Sequence, residues 1–226
     1  MAETRTIQTS GGLAFHTRTW GPVDAEPLLL LHGVSADGSA WDPVVAALSD
    51  RWRVHVPDMR GHGRSSWPGE YSFELMRDDV LALMDALGLP SAAVAGHSMG
   101  GVAGYLAATA KPERVTGLVL VETPPPVPIG VTVPPRPEEE LDYDWDLRPR
   151  IIAQLNAPPA EWWEGLPSIT ARTLVIGGGA TSFLPQDRIR EMAGRIPRGR
   201  FAEIPVGHLV VAAAPVELAA AIDGLP

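Results

Sequence analysis

The chain has 226 residues, a formal charge of −9, 45% hydrophobic residues, 23 glycines, 23 prolines and no cysteine. A chain of this length builds one core, and without cysteine it has no disulfides, thiolate nucleophile or cysteine-ligated metal. Lys111 is the only lysine, so no basic stripe exists to neutralise phosphates, which excludes nucleic acid and anionic membrane as expected partners.

The N-terminal Met1-Ala2-Glu3-Thr4-Arg5-Thr6 lacks an apolar signal core, and no run approaches the roughly 20 apolar residues of a membrane span, so a cytoplasmic location is expected. Arg5–Gln8 and Leu13–Thr19, separated by Ser10-Gly11-Gly12, predict an antiparallel hairpin at one sheet edge. Beyond it, apolar runs alternate with helical patterns. Strands are expected at Leu28–Leu31, Val54–Val56, Ala92–Ala95, Val115–Val121, Thr173–Ile176 and Phe201–Ile204. Helices are expected at Trp41–Leu48, Phe73–Leu87, Gln186–Ile196 and Val210–Ile222, with a further small-residue helix from Gly101 to Ala108. This alternation predicts an α/β fold with a mostly parallel central sheet flanked by helices.

The rhythm breaks between residues 123 and 167, at Pro124-Pro125-Pro126, Pro134-Pro135, the acidic run Glu138–Asp144 and the Trp162-Trp163 pair. This stretch reads as a short lid insertion over the strand ends, of a length for two short helices, within a single domain whose core is residues 1–122 and 168–226. The competing reading is a solvated loop with an acidic face.

The sequence Gly96-His97-Ser98-Met99-Gly100 reads G-x-S-x-G directly after an apolar run. That context predicts a strand entering a sharp turn that lifts the Ser98 hydroxyl into a cleft, with glycines where side chains would collide with the neighbouring strand and helix. Three further pieces line up. Leu28–Leu31 runs into His32-Gly33-Val34; Asp58-Met59-Arg60-Gly61-His62-Gly63-Arg64-Ser65 follows the next strand; and Ile204-Pro205-Val206-Gly207-His208 puts a histidine after the last strand. With these pieces the chain closely resembles the α/β-hydrolase superfamily over nearly its whole length.

The resemblance implies that Ser98 is the nucleophile and His208 its general base, with the backbone N–H groups of Val34 and Met99 as the oxyanion hole. Asp58, Arg60 and His62 are read as turn and ion-pair residues, and His16, His55 and His97 as structural. The acid departs from the usual pattern. Thr181 stands where the superfamily commonly carries an aspartate after its seventh strand, and threonine cannot stabilise an imidazolium as a carboxylate does. Some members carry the acid at the end of the sixth strand, where this chain has Glu122, and Glu122 is therefore the expected triad acid. Asp187, the nearest alternative, is read as serving the start of the following helix.

The expected function is a serine hydrolase that cleaves a small to medium ester, lactone or related acyl substrate, without metal or cofactor. Serine at the elbow argues against the haloalkane dehalogenases and epoxide hydrolases of this superfamily, which use aspartate there. Trp41, Trp145, Trp162 and Trp163, with Trp67, are candidate pocket linings. Carbon–carbon bond hydrolysis, a non-hydrolytic lyase, cyclase or epimerase, and a hydrolase-derived binding module are the alternative readings, and the oligomeric state stays open.

Overall fold

Eight strands join in one sheet in the computed structural model, which describes residues 2–225: β1 (Glu3–Gln8), β2 (Ala14–Trp20), β3 (Glu26–Leu31), β4 (Trp52–Pro57), β5 (Ala92–His97), β6 (Val115–Val121), β7 (Arg172–Gly177) and β8 (Gly199–Glu203). Among the described residues the α-helices are α1 (Asp42–Leu48), α2 (Phe73–Ala86), α3 (Met99–Ala110), α4 (Leu147–Asn156), α5 (Ala160–Gly165), α6 (Gln186–Arg195), α7 (Val210–Ala213) and α8 (Pro215–Asp223). The sheet order is β1-β2-β4-β3-β5-β6-β7-β8. The β1/β2 hairpin is antiparallel, β2 joins β4 antiparallel, and every later pairing is parallel.

The unbroken apolar run Leu28–Leu31 follows from this architecture. A parallel strand covered by helices on both faces has no water-facing side, so its residues need not alternate with polar ones. Leu29 and Leu31 enter a core with α2, α3 and α6, whereas Leu28 and Leu30 enter a second core with α1, α7 and α8. Burying each of these leucines is worth about 1.5–3 kcal/mol, which holds the register of the central strand. A slip by one residue would exchange the two sets.

Two expectations change in detail. The helix expected at Val210–Ile222 is two helices, with Ala214 between them at φ −138° and ψ 54°. Pro215 cannot donate to the preceding turn and restricts the residue before it, so the first helix stops and Pro215 opens the second. Segment 123–167 divides as well: α4 borders the cavity beside Ser98, whereas Trp162 of α5 is buried against Phe73 and Tyr105 in the core.

The acidic run is not wholly solvated. Glu138, Glu139 and Glu140 are exposed, but Tyr143 is buried and stacks on His62 at 5.6 Å. Asp144 accepts a 2.6 Å hydrogen bond from the Tyr71 hydroxyl.

The Asp58–Ser65 loop is architectural. Asp58 accepts from the Gly38 and Arg64 N–H groups, and Arg60 forms an inward ion pair with Asp79. His32 links this loop to its own: its Nε2 accepts from the Met59 N–H at 2.8 Å, so Nδ1 carries the proton and donates to the Gly33 carbonyl at 2.8 Å.

Candidate active site

Four loops meet at the carboxyl ends of neighbouring parallel strands, where open α/β sheets form their crevices. They are the loop after β3 with Gly33, Val34 and Ser35, the turn after β5 with Ser98, the end of β6 with Glu122, and the loop after β8 with His208.

Ser98 sits between β5 and α3 at φ 51° and ψ −114°, a conformation that side-chain-bearing residues rarely adopt. Its surroundings hold the turn closed. The Ser98 N–H donates to the Val121 carbonyl at 3.0 Å. A Cβ at Gly96 would lie 2.4 Å from the Gly100 carbonyl oxygen, and one at Gly100 would lie 2.4 Å from the Leu31 carbonyl oxygen. Only glycine allows the helix to start so close to two strands.

The hydroxyl of Ser98 lies 3.1 Å from His208 Nε2, and His208 Nδ1 lies 3.1 Å from Glu122 Oε2. A carboxylate can only accept, so the network assigns the proton to Nδ1 and leaves Nε2 free to accept from serine. Glu122 is fully buried and, like Ser98, has a positive φ, 43°. Burial alone would raise its pKa. Hydrogen bonds from His208, Ser182, Gln186 and the Gly178 N–H outweigh that cost and hold it below the ordinary glutamate value.

Sequence reasoning did not single out Ser182 or Gln186. They lie in the β7–α6 connection, the same stretch that lacks the common aspartate, and here that stretch supplies donors to a carboxylate arriving from β6. Thr181 makes no side-chain bond to His208 among the described residues, and Asp187 lies in the first turn of α6.

His97 makes no hydrogen bond to the Ser98 side chain among the described residues. Its Nε2 donates to the His208 carbonyl at 2.8 Å, which ties down the backbone carrying His208. The His97 ring also lies 4.9 Å from the His208 ring, and Phe183 approaches from another side at 4.6 Å.

A cavity of about 400 Å³ opens over Ser98 and His208. Val34 and Met99 border it beside the serine, and Met99 opens α3, so its N–H has no acceptor four residues back within the helix. Most of the remaining wall is apolar, with Phe73, Ile129, Ile151, Ile152, Leu155 and Phe183 among it, and Ser35, His97, Thr132 and Arg148 add polar groups.

None of the candidate tryptophans lines this cavity. Trp41 and Trp162 are core residues, Trp163 lies beneath the Arg188 and Arg195 guanidinium groups, Trp145 lies beside Arg148, and Trp67 donates to the Gly63 carbonyl. Large rings fill sheet–helix gaps efficiently, whereas the wall here is built from aliphatic side chains on α4 and its approach.

Four buried histidines bear on acid stability. Burial holds His32, His55 and His97 near pKa 4 and His62 near 3, against an ordinary 6.5. Each folded-state value lies below the unfolded one, so between about pH 6.5 and 4 the unfolded chain binds more protons and stability is lost as the pH is lowered. Melting followed by circular dichroism is expected to show a steep Tm decline across this window, and a flat Tm from pH 7 to pH 4 would refute it.

The profile of the alpha/beta hydrolase fold family matches residues 26–139, half of the chain. The chain belongs to the α/β-hydrolase fold family. Within this family it is 40% identical over 119 residues to a Caulobacter segnis protein provisionally named carbamate hydrolase RutD, covering 51% of this chain and 45% of that protein. It is 34% identical over 116 residues to 3-oxoadipate enol-lactonase 2 of Acinetobacter baylyi, covering 51% of this chain and 43% of that one. The matched stretch thus spans just under half the length of these relatives. Among solved structures, a thermophilic esterase from Thermogutta terrifontis superposes with TM-score 0.81 at 25% identity over 98% of this chain and 97% of that one. Among the described residues, no helix of this α/β hydrolase is long and apolar enough to cross a membrane.

Proposed function

We propose that this chain is a serine hydrolase that cleaves a small to medium ester, lactone or related acyl substrate through an acyl-enzyme on Ser98. The observation that carries this reading is the run of two 3.1 Å hydrogen bonds from the Ser98 hydroxyl through His208 to buried Glu122. The cavity above it has the size of a small-molecule site. The matched relatives named for carbamate and enol-lactone hydrolysis, and the esterase of similar structure, support the same class of acyl chemistry.

In the first half-reaction His208 Nε2 takes the hydroxyl proton as Ser98 Oγ bonds to the substrate carbonyl carbon. Glu122 keeps Nδ1 protonated, orients the ring and stabilises the imidazolium. The tetrahedral oxyanion is held by the N–H groups of Val34 and Met99, each worth about 3 kcal/mol in sites of this kind. The carbon–oxygen bond to the leaving group breaks, and that group takes the proton from His208. Water, deprotonated by His208, then attacks the acyl-enzyme and releases the acid and free serine. Segment 123–167 acts as the roof through α4, whose aliphatic side chains exclude water from one side of the cavity.

A fluorophosphonate probe is expected to add one phosphonyl group at Ser98, located by peptide mass spectrometry. Labelling at another residue, or none after prolonged exposure, would overturn the assignment of nucleophile.

A further inference from the structure

The cavity wall carries one fixed charge. Arg148, on the first turn of α4, is the only Arg, Lys, Asp or Glu among its lining residues. Its Nη2 donates to the Ser35 hydroxyl at 2.6 Å, and its guanidinium lies 5.5 Å from the centre of the Trp145 ring. Nε is buried without an acceptor, and among the described residues no carboxylate lies within ion-pair distance of the group.

Arginines 5, 18, 51, 53, 60, 77, 114 and 188 each meet a carboxylate, whereas Arg148, at the cavity wall, has a hydroxyl and an aromatic ring for partners instead. The anchor is also held in place. Ser35 has a positive φ of 66°, in the loop that carries Val34, so the hydroxyl steadying Arg148 belongs to the serine's own neighbourhood. A guanidinium placed by a hydroxyl and an aromatic ring, against apolar walls and without a counter-ion, is built to receive an anionic ligand group.

We infer that Arg148 is a specificity residue that binds a carboxylate at the far end of the acyl substrate, so that the preferred substrates are half-esters or lactones of dicarboxylic acids. The chain's overall charge of −9 opposes an anionic substrate at long range, which makes a local cation the feature that selects it. Apolar walls suit the methylene chain between the two ends.

The kinetic part of this inference rests on the proposed acyl chemistry, and the binding part does not. The kinetic probe is the mono-p-nitrophenyl ester of adipic acid compared with its methyl-capped, uncharged form. The wild type is expected to favour the charged ester at least tenfold in kcat/KM at low salt, a ratio in keeping with a charge-assisted hydrogen bond to the carboxylate. That ratio should fall to about one in Arg148→Met, below one in Arg148→Glu, and survive in part in Arg148→Lys, which keeps the charge and guards against misfolding as the explanation.

The binding probe is free adipate, which should raise the Tm of Ser98→Ala protein and fail to do so when Arg148→Met is added. An equal ester ratio in wild type and Arg148→Met, with adipate stabilising both Ser98→Ala backgrounds alike, overturns the carboxylate subsite. Adipate binding that depends on Arg148, in a wild type that turns over neither ester, would support the subsite and overturn the hydrolase reading.

Discussion

Ser98→Ala is expected to lower p-nitrophenyl ester turnover by roughly 10⁴- to 10⁶-fold, leaving only what binding and the oxyanion donors supply. The size of the effect follows from the parts acting as a unit. Without the hydroxyl, His208 Nε2 has no nucleophile to deprotonate at 3.1 Å, and the strained elbow at φ 51° presents a methyl group to the substrate. The change removes one oxygen from a largely buried position, so the melting temperature should stay close to that of the wild type. An acyl series from acetate to dodecanoate, run on both proteins, checks the prediction. The wild type should show an optimum among the shorter chains, because a cavity of about 400 Å³ cannot enclose the longest ones. Turnover equal in the two proteins would remove Ser98 from the mechanism and favour His208 acting alone as a base, as a lyase, cyclase or epimerase would require.

Glu122→Gln is expected to reduce kcat by roughly 10³- to 10⁴-fold, and Asp187→Asn to change it by less than about twofold. Glutamine preserves the volume at a fully buried position but turns one of the two acceptor oxygens into a donor. Placed against His208 Nδ1, that amide favours the tautomer with its proton on Nε2, which can no longer accept from Ser98. Asp187 sits in the first turn of α6, where a negative charge stabilises the helix by about 0.3–1 kcal/mol and does not reach the imidazole. Steady-state kinetics on the two variants, with melting curves to exclude unfolding, decides between them. Loss of turnover in Asp187→Asn with Glu122→Gln nearly unaffected would place the acid after β7 instead of β6.

The network around Glu122 shows how far a linear reading reaches. Glu122 is accessible to sequence reasoning because the common aspartate position holds Thr181 and a carboxylate stands at the preceding strand end. Ser182 and Gln186 carry no such signal, since serine and glutamine in a loop mark nothing by type or spacing. Their role exists only because β6 and β7 are neighbours with Val121 opposite Ile176, which brings the loop after β7 onto the carboxylate. Arg148 was equally silent, one arginine of many until α4 set it against the cavity.

The tryptophans show the opposite failure. Trp41 and Trp162 have the residue type expected of a pocket wall, yet both are buried in the core, because the depth at which a ring lies depends on helix packing that no local pattern encodes.

What the chain determined by itself is whatever depends on neighbours a few residues apart. The uninterrupted apolar run of β3 and the glycines around Ser98 follow from local sterics and from burial on one face or two, and each is visible in a short window of sequence; the break at Pro215 is equally local, although the expected helix ran through it. What tertiary structure alone decided is the company each functional side chain keeps. Glu122, Ser182, His208 and Ser98 span 110 residues of sequence, with the Ser98–His208 pair the most widely separated, and they meet because parallel pairing aligns the carboxyl ends of β5, β6, β7 and β8. Distances of 3.1 Å between such groups depend on sheet order and loop packing, which arise from contacts far apart in the chain and so leave no periodic trace in it.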